Sequence, residues 1–118
     1  MDKEIVIDMS DLMARVEDDI ELARELAEIF FDDVPNKIEE LRQHISRNDA
    51  QSVRNVAHSL KGAAGNLSAV GVRKAALSLE KIGASGDLKG AAQVFSLLVS
   101  EIEAFKKAAA EQLGYNCS

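Results

Sequence analysis

The chain has 118 residues, a formal net charge of −6 and a hydrophobic fraction of 47%, which is enough for one domain whose core needs no disulfide or metal. Aromatic residues make up only 4% of the chain and tryptophan is absent, so aliphatic packing between helices is favoured over a β-sandwich. Nucleic acid is a poor candidate partner because the chain is acidic and offers few aromatic side chains on which bases could stack.

Hydrophobic periodicity predicts five helices. The first is short and follows Asp8 or Ser10. The second begins near Asp18–Asp19, and its apolar stripe is interrupted around Pro35. Proline lacks a backbone N–H and therefore removes one helical hydrogen bond, so we expect a kink or a break there. The stripe of this helix comprises Leu22, Leu26, Ile29, Phe30, Val34, Ile38, Leu41 and Ile45.

The third helix is capped by Asn48 or Asp49. A fourth helix follows and is closed by Gly83, because glycine readily adopts the left-handed conformation that ends helices. Asp87 can cap a fifth helix. The apolar stripes of these helices comprise Val53, Val56, Ala57, Leu60, Ala64 and Leu67 in the third, Val72, Ala75, Ala76, Leu79 and Ile82 in the fourth, and Val94, Leu98, Ile102 and Phe105 in the fifth.

Each long helix has one apolar face, and the connections between the helices are short. The expected fold is therefore all-α: an antiparallel four-helix bundle with a short additional N-terminal helix. We expect a single domain over residues 1–118, with a core over residues 8–112 and a flexible tail over residues 113–118. The narrow, alanine-rich stripes indicate a scaffold and suggest no cofactor pocket.

The charges are distributed unevenly along the chain. Residues 1–40 carry a net charge of −10, residues 41–81 a net charge of +5, and residues 82–118 a net charge of −1. The basic middle segment contains His58. It is either a chance cluster on solvated helix faces or a surface that meets an anionic partner.

On a helical wheel of the third helix, His58 lies about 150° from the centre of the apolar stripe and therefore faces solvent. Gly62 and Gly65 lie on the same side, although each glycine weakens a helix by roughly 1 kcal/mol relative to alanine. Gly62 leaves the surface beside the imidazole clear for a partner, whereas Gly65 either does the same or ends the helix. Lys61, one turn from His58, would stabilise an anion bound to the ring.

Neutral imidazole is a nucleophile at physiological pH, and a basic neighbour helps to hold a phosphoryl group on its ring nitrogen. The stretch AHSLKGAAGNL, with H-x-x-K-G at His58, Lys61 and Gly62, resembles the histidine-containing phosphotransfer (HPt) domain. The resemblance covers nearly the whole chain and includes LSLE, which ends at Glu80. It implies a four-helix bundle that accepts a phosphoryl group from a receiver-domain aspartate or a kinase and passes it to a receiver aspartate in a phosphorelay.

The resemblance also implies roles for individual residues. His58 would be the phosphoacceptor through Nε2, and Lys61 would stabilise the phosphoryl oxygens. Gly62 and Gly65 would keep the surface clear for the receiver's active site. Glu80 matches a position at which family members carry an acid or amide that hydrogen-bonds the imidazole Nδ1 and orients the ring. On the wheel of its own helix Glu80 lies at the edge of the buried stripe, where it is either a solvated acid or a neighbour of the third helix.

A docking rim for the receiver is expected around the histidine, at Gln51, Arg54, Asn55 and Ser59. Arg54 and Lys61, with Arg73 or Lys74, would complement the acidic active site that the resemblance implies for a receiver. The implied magnesium ion belongs to that receiver, so no metal or other cofactor is expected in this chain. His44 is expected to be solvated or part of the rim, since no H-x-x-x-H spacing exists.

The implied partners are the receiver domain of a response regulator and a sensor or hybrid histidine kinase. The chain has no G-x-x-x-x-G-K-[ST] motif, so we expect a phosphotransfer intermediate rather than an enzyme with its own ATP site. Two alternatives stay open: a non-catalytic module that docks a receiver, and a plain helical scaffold or dimerisation bundle.

The same sequence indicates a cytoplasmic monomer. No apolar run approaches the ~20 residues of a membrane-spanning helix, so no membrane insertion is expected, and MDKEIVID at the N-terminus lacks a signal-peptide pattern. The single cysteine, Cys117, suits a reducing compartment.

One position departs from the family pattern. Relatives often carry glycine three residues after Gly65, where this chain has Ser68, and the next glycine is Gly71. The departure leaves open whether the turn between the two central helices differs, and with it which receiver docks. It does not affect the chemistry expected at His58.

Overall fold

The computed structural model describes residues 5–116, so positions 117–118 of the expected flexible tail lie outside it. In the described part of the chain five helices follow one another: α1 (Met9–Arg15), α2 (Ile20–Ser46), α3 (Ala50–Asn66), α4 (Val70–Ser85) and α5 (Ala91–Leu113). The same residues contain no strand beyond one isolated antiparallel bridge between Ile7 and Ala69. No helix among them is long and apolar enough to span a membrane.

Three helices begin where an aspartate satisfies a free backbone N–H group. The side chains of Asp8, Asp19 and Asp49 accept hydrogen bonds of 3.1–3.2 Å from the N–H groups three residues later. These residues cap α1, α2 and α3, so Asp8 rather than Ser10 starts the first helix. Asn48 instead forms the turn before Asp49, with a φ of 56°.

The four long helices form an antiparallel bundle, as the sequence predicts. α3 packs against α4, α4 against α5, α5 against α2, and α2 against α3, while α1 contacts α2. Each helix buries one apolar face, which stabilises the bundle by roughly 25 cal/mol for every Å² removed from water. The largest completely buried side chains are Leu12, Leu41, Val53, Leu60, Val72, Leu79, Leu98, Phe105 and Leu113.

Side chains on both sides of residues 8–112 join the packing, with an aromatic ring at the C-terminal end. The ring of Phe31 on α2 lies 5.0 Å from that of Phe105 on α5 and 4.8 Å from that of Tyr115. Tyr115 follows the end of α5, and Ile7, which precedes α1, is buried. The packed part of the chain is therefore wider than residues 8–112.

α2 continues through Pro35, so of the expected kink or break at this position the break does not occur. The helix is unbroken from Ile20 to Ser46, and Pro35 is exposed. Proline leaves the carbonyl of Phe31 without its helical partner, but the loss is confined to one bond. Val34 and Leu41, which flank the proline, are both buried, and this packing holds the two halves in one helix.

Gly83 lies inside α4, so the prediction that it closes the helix is wrong. The helix continues to Ser85 and ends at Gly86, which adopts a left-handed φ of 80°. Gly83 is buried against α3: a Cβ atom there would lie 2.7 Å from the backbone nitrogen of Arg54 and 2.9 Å from the carbonyl oxygen of Ala50. Glycine at this position therefore lets two helix backbones approach each other.

Asp87 does not cap α5, contrary to the prediction. Its side chain accepts a hydrogen bond of 3.0 Å from the Lys89 N–H within the connection. α5 begins at Ala91, after Gly90, whose φ is 84° and which provides no side-chain cap. The left-handed backbone that glycine permits, rather than an aspartate cap, therefore sets the start of the last helix.

The N-terminal segment, residues 6–11, holds the turn between α3 and α4. Ser68 adopts a left-handed φ of 53°, and its carbonyl oxygen accepts a 2.9 Å hydrogen bond from the Asp8 N–H. Its hydroxyl donates to Asp11 Oδ2 at 2.6 Å, and the Val70 N–H donates to the carbonyl of Val6 at 2.9 Å. Ser68 thus takes a backbone conformation that favours glycine, and these hydrogen bonds offset the strain of a side chain there.

Replacing Gly83 with alanine should lower the free energy of unfolding, although alanine is the better helix former. The methyl group would overlap the backbone of α3 and force the helices apart, which costs about 1–3 kcal/mol. Urea denaturation followed by circular dichroism measures the change.

Gly62→Ala is the matched control, because the added methyl group would meet no described atom within 4 Å beyond its chain neighbours and the adjacent backbone of α3. This control should leave stability unchanged or raise it by up to about 1 kcal/mol. A Gly83→Ala variant as stable as Gly62→Ala would contradict the close approach of α3 and α4.

Candidate functional site

His58 stands on the exposed face of α3. Its side chain keeps 67% of its surface accessible, whereas Ala57 and Leu60 on the same helix are buried. The helical period that places the apolar stripe in the core therefore places the imidazole on the solvent side, as the helical wheel predicts.

Glu80 reaches His58 from α4. Its Oε2 atom lies 2.9 Å from the imidazole Nδ1. Only 16% of the Glu80 side chain is accessible, so of the two positions left open by the sequence it occupies the one beside the third helix. An ionised carboxylate accepts hydrogen bonds and cannot donate them, so we assign the proton to Nδ1. This tautomer leaves the lone pair on Nε2.

Lys61 contacts the same carboxylate. Its Nζ atom lies 2.8 Å from Glu80 Oε1, and its side chain is 24% accessible. Glu80 therefore bridges the imidazole of His58 and the ammonium of Lys61, with one oxygen on each. The three-residue spacing predicts that the histidine and the lysine are neighbours, but it carries no information on an acid that comes from another helix.

Glu80 is held in its ionised form. The contact with Lys61, followed by the one with His58, lowers the pKa of Glu80 below its usual value and outweighs the opposing effect of burial. At neutral pH Glu80 is therefore an anion that accepts a hydrogen bond from His58 Nδ1 and forms an ion pair with Lys61. Such an anion stabilises positive charge that develops in the ring when Nε2 attacks an electrophile.

Gly62 leaves the surface of α3 bare beyond His58, whereas the side chain of Arg73 lies beside Gly65. Apart from its chain neighbours and the adjacent backbone of α3, no atom of residues 5–116 lies within 4 Å of the point that a Cβ of Gly62 would occupy. α3 continues to Asn66, so the interpretation that Gly65 ends the helix is wrong; the left-handed residue that follows the helix comes later in the chain. The two glycines therefore lie on a continuous helical surface.

The four residues of the expected docking rim are all exposed along α3: Gln51, Arg54, Asn55 and Ser59. The side-chain amide of Gln51 donates a 3.2 Å hydrogen bond to Asn55 Oδ1. The backbone of Arg54 is the part of α3 that Gly83 approaches. The rim is therefore supported from behind by α4, while its side chains remain available to a partner.

An apolar groove that the sequence did not reveal lies between α2 and α3. It has a volume of about 360 Å³, and Ser59 and Ala63 line it from α3. Ile29 lines it from α2 with 65% of its surface exposed. The apolar stripe predicted for the second helix is thus wider than the face that the adjacent helices cover. This extra width is the one feature of the sequence that could have indicated the groove.

His44 lies in the last turn of α2 and is half-buried rather than fully solvated. Its Nδ1 atom has no hydrogen-bond partner among the described residues. Across residues 5–116, no group of three or more histidine, cysteine, aspartate and glutamate side chains is placed to hold a metal ion.

Comparison with known proteins agrees with this fold. The family model for the Hpt domain matches residues 25–108. Among solved structures, the chain is similar to histidine-containing phosphotransfer protein B (HptB) from Pseudomonas aeruginosa PAO1, with 22% sequence identity and a TM-score of 0.85 over 95% of this chain and 97% of that one. At this identity the likeness shows the fold. No curated protein matches the chain.

Glu80→Ala should change the tautomer of His58. Without the carboxylate the Nδ1 proton loses its acceptor, so the form protonated at Nε2 should become populated. Long-range ¹⁵N–¹H correlation spectra of the imidazole in mildly alkaline solution distinguish the two forms.

Lys61→Ala serves as the control, because it removes the ammonium but keeps the carboxylate. The Nδ1-protonated form should persist in this variant. If Glu80→Ala retained the wild-type spectrum, the assignment of the proton to Nδ1 through Glu80 would be wrong.

Proposed function

This chain belongs to the Hpt domain family, and from that premise we propose that it relays phosphoryl groups through His58 between a receiver-domain aspartate or a kinase and the receiver of a response regulator. Hpt domains are phosphotransfer modules of phosphorelays, not kinases. The observation that carries the proposal is the exposed imidazole whose Nδ1 lies 2.9 Å from a carboxylate, because this arrangement leaves Nε2 as the nucleophile.

In the proposed step, the lone pair of His58 Nε2 attacks the phosphorus of an aspartyl phosphate. The N–P bond forms as the P–O bond to the aspartyl carboxylate breaks, and that carboxylate leaves with the bonding electrons. The ring keeps its Nδ1 proton and gains positive charge. Glu80, which is ionised and touches Nδ1, stabilises that charge. Transfer to the next receiver reverses these events.

Lys61 is proposed to stabilise the phosphoryl oxygens on His58. Before transfer its ammonium is 2.8 Å from Glu80, one helical turn from the imidazole. A phosphoryl group on Nε2 would bring further negative charge to this point and would compete with Glu80 for the ammonium. In this proposal Glu80 holds Lys61 beside the imidazole until the phosphoryl group arrives.

The receiver is proposed to dock on the face of α3 that carries His58. Gly62 and Gly65 provide the clearance that a receiver active site needs, and the rim of Gln51, Arg54, Asn55 and Ser59 surrounds the approach. The apolar groove continues this surface toward α2, with Ile29 exposed. A polar and basic rim beside an apolar patch is the usual composition of a protein interface.

The chain is proposed to work without a cofactor of its own. Magnesium would be supplied by the receiver, and ATP would be used only by a sensor or hybrid histidine kinase upstream. We further propose that the chain acts as a monomer in the cytoplasm; its single cysteine, Cys117, suits the reducing conditions of that compartment.

His58→Gln should abolish phosphoryl uptake, because glutamine offers no nucleophilic nitrogen. The measurement is acid-labile, alkali-stable labelling of the chain by a phosphorylated receiver. His44→Gln is the matched control and should take up label like the wild type. Uptake by His58→Gln at the wild-type rate would refute the site, and stable receiver binding without uptake by the wild type would favour a docking module.

Gly62→Leu should leave the fold intact and slow transfer from a receiver by about tenfold or more, equivalent to roughly 1.4 kcal/mol in the activation free energy. The leucine would stand in the space that the receiver needs, and the position of its Cβ is free of contacts with other helices in the described chain. Rates of transfer and urea denaturation are measured together.

Ala110→Leu provides the comparison, since Ala110 is an exposed small residue of α5. This variant should transfer at the wild-type rate. Unfolding of Gly62→Leu, or equal slowing in both variants, would mean that Gly62 does not act as clearance for the receiver.

A further inference from the structure

Gly65 has no explanation inside the part of the chain that the structure describes. A Cβ atom there would meet only the side chain of Arg73, at ordinary van der Waals distances of 3.6 and 3.7 Å. The backbone of Gly65 is helical and does not need a left-handed φ. Alanine would therefore fit and would strengthen α3 by roughly 1 kcal/mol, so the reason for glycine lies in what contacts this surface from outside.

Arg73 borders that surface. It is an exposed residue near the start of α4, and its Cδ and Nε atoms lie against Gly65. Gly65 is seven residues after His58, which is about 10 Å along the helix axis. Arg73 therefore lies beside the proposed docking face. A protein partner covers roughly 800 Å² on each side of an interface, and an area of that size around His58 would include Arg73.

The guanidinium of Arg73 is not used within the described part of the chain, where it forms no ion pair. Asp8 and Asp11 line the same cavity, which has a volume of about 270 Å³. Asp11 is engaged by the Ser68 hydroxyl at 2.6 Å and by Arg15 at 2.9 Å, and Asp8 caps α1. The donors of Arg73 are therefore available to another molecule.

Resting on the proposed function, we propose that Arg73 is a specificity-determining residue whose guanidinium binds a carboxylate on the receiver segment lying over Gly62 and Gly65. The planar fork of arginine matches a carboxylate with two parallel hydrogen bonds, which a lysine cannot form. A receiver with an acidic residue at that point would be accepted. One with a neutral or basic residue would be disfavoured, because the guanidinium would lose water without gaining a partner.

The test is phosphoryl transfer to the chain from a panel of purified receiver domains that have been phosphorylated with acetyl phosphate. Arg73→Ala should raise KM for the preferred receiver about tenfold, the effect of losing roughly 1.4 kcal/mol of binding. The value of kcat should stay within about twofold, because a docking contact is equally strong in the ground and transition states. The ratio of KM values between a disfavoured receiver and the preferred one should fall by the same factor by which KM for the preferred receiver rises.

Two variants and one small donor serve as controls. Lys107→Ala removes the same charge from an exposed residue of α5 that lies outside the proposed docking face, and should change KM less than about twofold. Arg73→Lys keeps the charge but not the fork and should fall between alanine and the wild type. Phosphoramidate is a small phosphoryl donor that needs no docking surface, so it should label all variants at the wild-type rate.

The outcomes separate this inference from the function on which it rests. Equal effects of Arg73→Ala and Lys107→Ala on KM would overturn it, because general charge would then explain the result. Slower labelling of Arg73→Ala by phosphoramidate would also overturn it, since Arg73 would then act on His58 itself. Failure of every receiver to phosphorylate the wild type would instead overturn the proposed function. Rescue of Arg73→Glu by an acid-to-lysine change in the receiver would identify the bound carboxylate.

Discussion

The carboxylate of Glu80 is the group on which the site depends. It accepts from the imidazole of His58 with one oxygen and faces the ammonium of Lys61 with the other, at 2.9 and 2.8 Å. The ammonium of Lys61 and the Nδ1 proton of His58 keep the carboxylate ionised. The carboxylate in turn orients both side chains. Because α3 supplies the histidine and the lysine while α4 supplies the acid, the chemistry is set by the packing of these two helices.

That packing depends on residues far from the imidazole. Gly83 allows the backbone of α4 to approach α3 near Arg54, and the turn at Ser68 joins the other ends of the same helices. Ser68 adopts a left-handed backbone that is held by hydrogen bonds to the N-terminal segment. The short helix α1 and residues 6–8 therefore contribute to the site indirectly, by holding the turn that joins α3 and α4.

Glycines in this chain serve different physical needs, which their positions in the sequence do not distinguish. Gly83 is buried and permits close contact of two helices, Gly86 and Gly90 adopt the left-handed conformation in a connection, and Gly62 is bare and exposed. All lie in or beside helices and lower helix propensity to a similar extent. Only the neighbours of each glycine show whether it serves packing, chain direction or access by a partner.

The sequence by itself determined what depends on near neighbours in the chain: the candidate aspartate caps of α1, α2 and α3 but not that of α5, the five helices, the exposed face of His58 and its proximity to Lys61. Hydrogen bonds between residues a few positions apart and a 3.6-residue period contain that information. The tertiary structure alone decided that Lys61 pairs with Glu80, that Gly83 is a contact and not a helix end, and that Ile29 borders a groove. These features depend on which helix faces lie together and how closely, because burial and ion pairing across helices arise only when separate segments are brought into contact.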